Sequence, residues 1–345
     1  MPIKVLIVDD SALIRQVLTE MLTSEPGIEV VGTATDPYVA RDKIKSLSPD
    51  VLTLDIEMPR MDGLTFLEKL MALRPMPVVV ISTLTQKGTD AALRALELGA
   101  VDYMAKPLLD IRSGMMELAA ELCAKVRGAA QARVSARQPA ASRGPILRLD
   151  PKLSTAGRIV AIGASTGGVE ALQQVLTRLP ATAPAILVTQ HMPPGFTSSF
   201  ARRLDGQCAM SIQEASDGRR VLPGHVYIAP GARHLELVRT GSHYECRLHD
   251  GAPVSGHRPS VDVLFGSVAS AAGDAAMGII LTGMGRDGAN GLLDMRRAGA
   301  QTFGQSESSC VIYGMPKVAM QVGAVEVELP LGQIADEIVN LGART

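Results

Sequence analysis

The sequence lacks an excess of charge of either sign: 34 Lys and Arg stand against 35 Asp and Glu, a formal net charge of −1. A near-neutral chain has no basic field to hold a polyanion, so no nucleic-acid partner is expected. Cysteine is scarce: Cys123, Cys208, Cys246 and Cys310 are far apart and form no CxxC pair. That spacing argues against a zinc site and a disulfide framework, and it fits reduced thiols in the cytoplasm. Also absent is the run of about 20 nearly uninterrupted apolar residues that a membrane span needs. The greasiest long stretch, 261–284, is broken by Asp262, Asp274 and several glycines, so no insertion into a membrane is expected. The opening MPIKVLIVDD is too short, and too acidic at its end, for a signal peptide; it reads as a first strand.

What is present is alternation. At roughly 150 residues per domain, the 345 residues divide into about two domains. Over 1–127, short apolar runs at 3–8, 30–32, 51–54, 78–81 and 101–104 alternate with helical patterns at 12–22, 37–47, 63–73, 89–98 and 114–127. Strands apolar on both faces predict a parallel sheet covered by helices, and right-handed crossovers make it doubly wound. The texture changes over 128–156. AAQARVSARQPAASRGP has no apolar period and reads as a linker. Its arginines, Arg133, Arg137 and Arg143, suggest either an acidic neighbour or simply solvated charge. Over 157–345, strands are expected at 159–164, 185–190, 226–229 and 278–282, helices at 170–177 and 261–272, and a hairpin within 234–249. This second domain is again α/β, a Rossmann-like doubly wound sheet, and no sequence repeat relates it to the first.

In the first domain, Asp9 and Asp10 follow the first strand, Asp55 the third, and Lys106 ends the fifth ahead of Pro107. Ligands of open parallel sheets bind beyond the carboxyl ends of the strands. All four residues therefore converge on one edge. Clustered carboxylates repel one another unless a cation joins them, and hard oxygen ligands suit Mg²⁺. A metal-bound Asp can attack a phosphoryl donor while Lys106 steadies the added charge. Ser82 and Thr83 end the fourth strand, where a hydroxyl can meet the phosphoryl group. Solvated loop carboxylates would explain a lone Asp-Asp pair, but not matching strand ends. The segments IVDDS, LTLDIEMPRMDG, VISTLT and YMAKP resemble the receiver domain of two-component response regulators, a flavodoxin-like fold. The resemblance implies Asp55 as phospho-acceptor, Asp9 and Asp10 as fellow Mg²⁺ ligands and Lys106 as phosphate partner. Ser82 is the expected switch hydroxyl, with Thr83 the runner-up. Tyr103 is the associated aromatic switch, and reads equally well as a packing ring.

In the second domain, RIVAIGASTGG runs a strand into a glycine-rich turn, and Gly163 to Gly167 matches G-x-S-x-G. A sharp turn presents Ser165 at the sheet edge. The following helix start offers free amides to an oxyanion. Such a turn could also cradle a nucleotide phosphate. Against that, neither G-x-G-x-x-G nor GK[ST] is present, and the next strand ends in Gln190 and His191 rather than an acid. His191 suits a general base, and Asp287, after the later strand GIILTGMGRDG, suits the residue that orients it. The order Ser–His–Asp differs from the Ser–Asp–His order of α/β hydrolases. Taken singly, His191 could be a hydrogen-bonded loop residue and Asp287 a helix cap. In GHRPSVD, Ser260 reads as an N-cap, while His257 and Arg258 either line a substrate groove or do not. His225, His234, His243 and His249 read as surface or packing residues. Met192, Met284 and Met315 wall an apolar pocket or fill core.

With a receiver followed by IGASTGG, TQHMPPGF, GHRPSVDVLF and LTGMGRDG, the chain resembles the chemotaxis protein-glutamate methylesterase (CheB) family along essentially its whole length. The resemblance implies hydrolysis of γ-glutamyl methyl esters on cytoplasmic helices of chemoreceptors, giving glutamate and methanol, and deamidation of receptor glutamines. It implies a Ser165–His191–Asp287 triad and an oxyanion held by the Met284 amide, with Thr166 the second choice. Mg²⁺ would serve receiver phosphorylation only, with no cofactor for ester hydrolysis. A chemotaxis histidine kinase would be the phosphodonor. The unphosphorylated receiver would block the catalytic cleft, and a monomer is expected. Two other classes compete. A transcription factor would need a basic recognition helix and helix-turn-helix spacing, and the second domain has neither. A nonenzymatic binding module would leave the triad residues structural, and labelling by an active-site serine probe separates it.

Overall fold

The structure, a computed structural model, describes residues 1–58, 62–83, 85–106, 115–134, 145–148 and 155–341. Pro107 and linker residues 135–144 and 149–154, with Arg137 and Arg143, lie outside the described residues. The chain divides into two compact units, Met1–Ala140 and Ala141–Thr345.

The first unit runs β1 (Ile3–Val8), α1 (Ala12–Thr23), β2 (Ile28–Ala34), α2 (Pro37–Leu47), β3 (Val51–Asp55), α3 (Gly63–Leu73), β4 (Val78–Ser82), α4 (Gln86–Glu97), β5 (Asp102–Ala105) and α5 (Met115–Gln131). Its strands pair in parallel in the order β2-β1-β3-β4-β5, the flavodoxin-like arrangement. All residues of β3 and β4 are buried, as near-continuous apolar runs demand. Polar residues start the helices: Ser11, Asp36, Asp62 and Thr85 each accept an amide of the following first turn. Each such cap contributes about 1 kcal/mol, and together they set where strand edges give way to helix. α5 continues past Arg127 to Gln131, into the stretch expected as linker.

The second unit runs β6 (Ile159–Ala164), α6 (Gly168–Leu176), β7 (Ala185–Gln190), α7 (Phe196–Asp205), β8 (Ser211–Glu214), β9 (His225–Ile228), β10 (His234–Thr240), β11 (His243–His249), α8 (Val261–Ala272), β12 (Ala276–Ile280), α9 (Ala289–Arg297), β13 (Gln301–Gln305), α10 (Met315–Gln321), β14 (Val327–Leu329) and α11 (Leu331–Asn340). A 7-stranded parallel sheet has the order β14-β13-β12-β6-β7-β9-β8. β10 and β11 form the expected antiparallel hairpin. The middle strands carry the core: every residue of β6, β7 and β12 is buried. Truncating Ile162, 0 % exposed, to Ala would cost about 2–5 kcal/mol in transfer and cavity terms. The chain leaves β6 for β7 on one side and reaches β12 on the other. That reversal opens a crevice at the carboxyl ends of these strands.

Candidate functional site

Ser165, His191 and Asp287 all lie past the carboxyl ends of these neighbouring strands, β6, β7 and β12. Ser165 directly follows β6. Its backbone N–H donates to the Thr282 carbonyl at 3.1 Å, and its carbonyl accepts the Gly168 N–H at 2.8 Å, closing the turn. Gly167 sits at φ +78°, a left-handed conformation that only glycine takes cheaply. Gly283 lies so close that a Cβ there would stand 2.8 Å from the Ser165 Cβ and would overlap the Met315 sulfur. The glycines of IGASTGG and LTGMG therefore let two backbones meet at the serine.

His191 follows β7, and its N–H donates to the Ala164 carbonyl at 3.1 Å. Its Nε2 lies 2.8 Å from Asp287 Oδ2. Its Nδ1 is buried with no hydrogen-bond partner among the described residues. The ring stacks on His257, centroids 3.8 Å apart and planes 14° apart. Asp287 is 1 % exposed. Besides His191, it accepts the Ser260 hydroxyl at 2.8 Å, the Val261 amide at 2.7 Å and the Asp262 amide at 3.1 Å. These donors belong to the start of α8, where the helix dipole favours an anion. Burial alone would raise the Asp287 pKa. The His191 hydrogen bond and charge, then the Val261 amide and Ser260 hydroxyl, outweigh it and hold the pKa at about 2. The structure thus joins His191 to Asp287 and sets Ser165 on the adjacent strand end. The Ser165 hydroxyl makes no hydrogen bond to His191. Such contacts are often long before substrate binds.

Met284, 36 % exposed, follows Gly283, and its amide makes no hydrogen bond among the described residues. The Thr166 carbonyl accepts the Thr282 hydroxyl at 3.0 Å. Ser260 is indeed the N-cap of α8. Two supports escaped the sequence reading. Gln190, 3 % exposed, donates Nε2 to the carbonyls of Ser165, at 2.9 Å, and His191, at 3.3 Å. A polar amide closing a largely apolar strand beside His191 is its only sequence signal. Ser260 also reaches Asp287, 27 residues away, a contact that local spacing does not reveal.

In the first unit, single oxygens of Asp9, Asp10 and Asp55 come within 4.8 Å of one another. Asp9 and Asp55 are buried, and Asp10 is exposed. Lys106 Nζ lies 2.7 Å from Asp55 Oδ2 and 3.6 Å from Asp9 Oδ2. Asp9 Oδ1 accepts the Ser11 amide at 2.8 Å, while Oδ2 is buried without a hydrogen bond among the described residues. Burial, then the neighbouring Asp55 charge, pushes the Asp9 pKa up to about 6 despite Lys106. Burial also raises that of Asp55, against the Lys106 hydrogen bond. Hard oxygens with an unsatisfied buried member fit a divalent cation such as Mg²⁺. Ser82 is 0 % exposed and donates to the Gly88 carbonyl at 2.8 Å. The partly exposed Thr83 pairs with the Thr85 hydroxyl at 3.0 Å. Tyr103 is buried on β5, with Lys125 Nζ 5.6 Å from its ring centroid. Among the described residues, no helix is long and apolar enough to cross a membrane.

Comparison with known proteins agrees with this geometry at the level of the domains. Residues 160–338 match the family model for CheB methylesterase, and residues 5–114 that for the response regulator receiver domain. A protein-glutamate methylesterase/protein-glutamine glutaminase of Pectobacterium atrosepticum is 58 % identical over 337 residues, covering 98 % of this chain and 96 % of that protein. One of the same description from Salmonella typhimurium is 57 % identical with the same coverage. Among solved structures, the Thermotoga maritima CheB methylesterase catalytic domain matches with a TM-score of 0.53 and 37 % identity, covering 54 % of this chain and 99 % of that one.

Proposed function

The chain belongs to the CheB methylesterase family, and on that premise we propose that it hydrolyses glutamate 5-O-methyl esters of chemoreceptors to glutamate and methanol, under phosphorylation control by its own receiver domain. It also deamidates receptor glutamines, acting in the cytoplasm as a monomer. Residues 1–127, with the last turn of α5 to Gln131, form the receiver, the linker follows to 156, and 157–345 form the esterase.

One observation carries the reading: His191 is bonded to a buried, ionised Asp287 at the strand end next to Ser165. An ionised carboxylate can only accept, so the His191 proton is assigned to Nε2 and the lone pair to the unpartnered Nδ1. Nδ1 takes the Ser165 proton as the oxygen attacks the ester carbonyl. Asp287 stabilises the resulting imidazolium. The oxyanion is held by the Met284 amide, with the Thr166 amide as second donor. The imidazolium returns its proton to the departing methoxide, releasing methanol, or to the amine of a glutamine substrate, releasing ammonia. Water, deprotonated by the same nitrogen, then cleaves the acyl-serine.

In the receiver, Asp9, Asp10 and Asp55 would hold Mg²⁺, which neutralises charge while Asp55 accepts a phosphoryl group from a chemotaxis histidine kinase. Lys106 balances the added charge, and Ser82 exchanges its Gly88 partner for a phosphoryl oxygen. Tyr103 is the accompanying aromatic switch.

The test is methanol release from methylated receptor membranes, with and without a small phosphodonor. Release that requires Ser165 and rises with phosphodonor is expected. Release persisting in Ser165→Ala would refute the nucleophile. A rise that survives in Asp55→Asn would refute the phospho-acceptor.

A further inference from the structure

We propose that Ser260 and His234 are positioning residues for Asp287: the Ser260 hydroxyl holds the carboxylate that orients His191, and buried His234 holds Ser260. The inference rests on the triad reading above. Ser260 and His234 are each 0 % exposed. Ser260 Oγ donates to Asp287 Oδ1 at 2.8 Å. The Ser260 backbone N–H points at His234 Nδ1, 3.2 Å away, and His234 Nε2 lies 3.0 Å from the Ala252 carbonyl. An amide can only donate and a carbonyl can only accept. The two contacts therefore select one neutral form of His234, with its proton on Nε2. A doubly protonated ring would set two donors head-on at Ser260. The outcome is two linked supports: the Ala252 carbonyl and His234 hold the Ser260 backbone, and the Ser260 hydroxyl holds Asp287 and through it His191, within a water-poor interior where each hydrogen bond is stronger than in water.

Capping of α8 is not enough to explain Ser260. Its oxygen is 3.5 Å from the Val263 amide it caps, at the limit of a hydrogen bond, against 2.8 Å to Asp287. The hydroxyl proton serves Asp287, and only a lone pair serves the helix. His234 opens β10, so the β10–β11 hairpin, outside the parallel sheet, is tied to the carboxylate through one serine. This gives a role to a histidine that sequence alone placed among surface or packing residues.

Steady-state methanol release by the full-length chain tests the proposal. Ser260→Ala should lower kcat by about 10–100-fold with KM unchanged, the equivalent of one hydrogen bond to a charged group, and Ser260→Thr should recover most of the loss. Asn at position 234 places its oxygen near the site of Nδ1, whereas Gln reaches the site of Nε2. His234→Asn should therefore keep most of kcat, and His234→Gln should fall with Ser260→Ala. A Ser260→Ala variant with a lower melting temperature but wild-type kcat would reduce the serine to a helix cap and overturn the proposal. Equal kcat for the two His234 variants would overturn its outer half. Because buried variants can fail to fold, ¹⁵N imidazole NMR of the wild type provides a second reading. Neutral His234 protonated on Nε2 is expected, and a Nδ1–H or cationic ring overturns the chain of contacts. If Asp287→Asn itself keeps wild-type kcat, the triad has failed; if Asp287→Asn is inactive and Ser260→Ala is not, only the support has failed.

Discussion

Asp9 and Asp287 are the same residue type in matching places. Each lies beyond the carboxyl end of a parallel strand, Asp9 directly after β1 and Asp287 in the loop that follows β12, and each is 1 % exposed. Yet one has its pKa pushed up to about 6 and the other held at about 2. Burial acts against both charges, so burial cannot be what separates them. Asp287 accepts amides from Val261 and Asp262, the Ser260 hydroxyl and a proton of His191. Asp9 accepts the Ser11 amide, faces the Asp55 charge, and keeps one oxygen without a hydrogen bond. The protein has finished one carboxylate site with its own donors and left the other incomplete. A finished site can orient a base unaided; an incomplete one has reason to take up a cation.

Chelation and nucleophile removal would break this contrast most sharply. With no phosphodonor present, EDTA should leave methanol release unchanged, since the proposed Ser165–His191–Asp287 steps use no metal. Ser165→Ala should bring release to background, a loss of about 10⁴–10⁶-fold, because the remaining members of a triad contribute little without the nucleophile. Loss of release on chelation would mean that the second edge is not self-sufficient. Next in size is Asp287→Asn. The amide keeps the shape but offers an N–H where His191 needs an acceptor, so the ring loses its assigned proton position. A fall of about 10³–10⁴-fold in kcat is expected from stopped assays of methanol, with binding of receptor membranes retained.

The two carboxylates should also differ in sign as pH changes. Asp287 has a folded pKa below its unfolded value near 3.9, so its contribution, on the order of 2 kcal/mol, is present above about pH 4 and lost as pH falls through about 2. Asp9 has a folded pKa above that value, so the metal-free receiver carries a penalty that is absent below about pH 4 and complete above about pH 6. At pH 8, Mg²⁺ or Asp9→Asn should therefore slow hydrogen exchange in β1, while Asp287→Asn should speed it in β12. The β1 gain should shrink as pH falls through about 6. Matching signs for the two substitutions would dissolve the contrast.

How much of this was legible follows from the same physics. β1, β3, β6, β7 and β12 are near-continuous apolar runs, and a run that closes on Asp, Ser or His marks a strand end directly. The parallel sheet then brings those ends together, so the sequence alone places Asp9, Asp55, Ser165, His191 and Asp287 on two edges. β13 carries no clear strand signal, since QTFGQ is bounded by glutamines and interrupted by glycine. β14 is only three residues, all partly or fully exposed. α7 opens on Phe-Thr-Ser-Ser, which lacks a clear helical stripe. Ser260, Val261 and Asp262 reach Asp287 from 25–27 residues away, and no local pattern encodes such a contact. In the sequence Gln190 marks only the absence of a nucleotide site's acid, and its clamp on two carbonyls comes from the fold.

The smallest effect separates the two hydroxyls at the end of β4. Ser82 is fully buried and donates to the Gly88 carbonyl in the first turn of α4. Thr83 is partly exposed and exchanges its hydrogen bond with Thr85, the α4 cap. If Ser82 meets the phosphoryl group on Asp55, it gives up a neutral hydrogen bond of about 1 kcal/mol for a charge-assisted one of about 1.5–3 kcal/mol. The surplus available to bias the receiver is then about 0.5–2 kcal/mol, or roughly 2–30-fold in its two-state equilibrium. Ser82→Ala should cut phosphodonor stimulation of methanol release by up to that factor while Asp55 is still phosphorylated. Thr83→Ala removes a hydroxyl that is bonded to its own helix cap and should change stimulation less than twofold. Phosphorylation measured beside methanol release on the same samples distinguishes a lost signal from a lost phosphate. If Thr83→Ala carries the larger deficit, the exposed hydroxyl is the switch, and α4 is released through its cap rather than through Gly88.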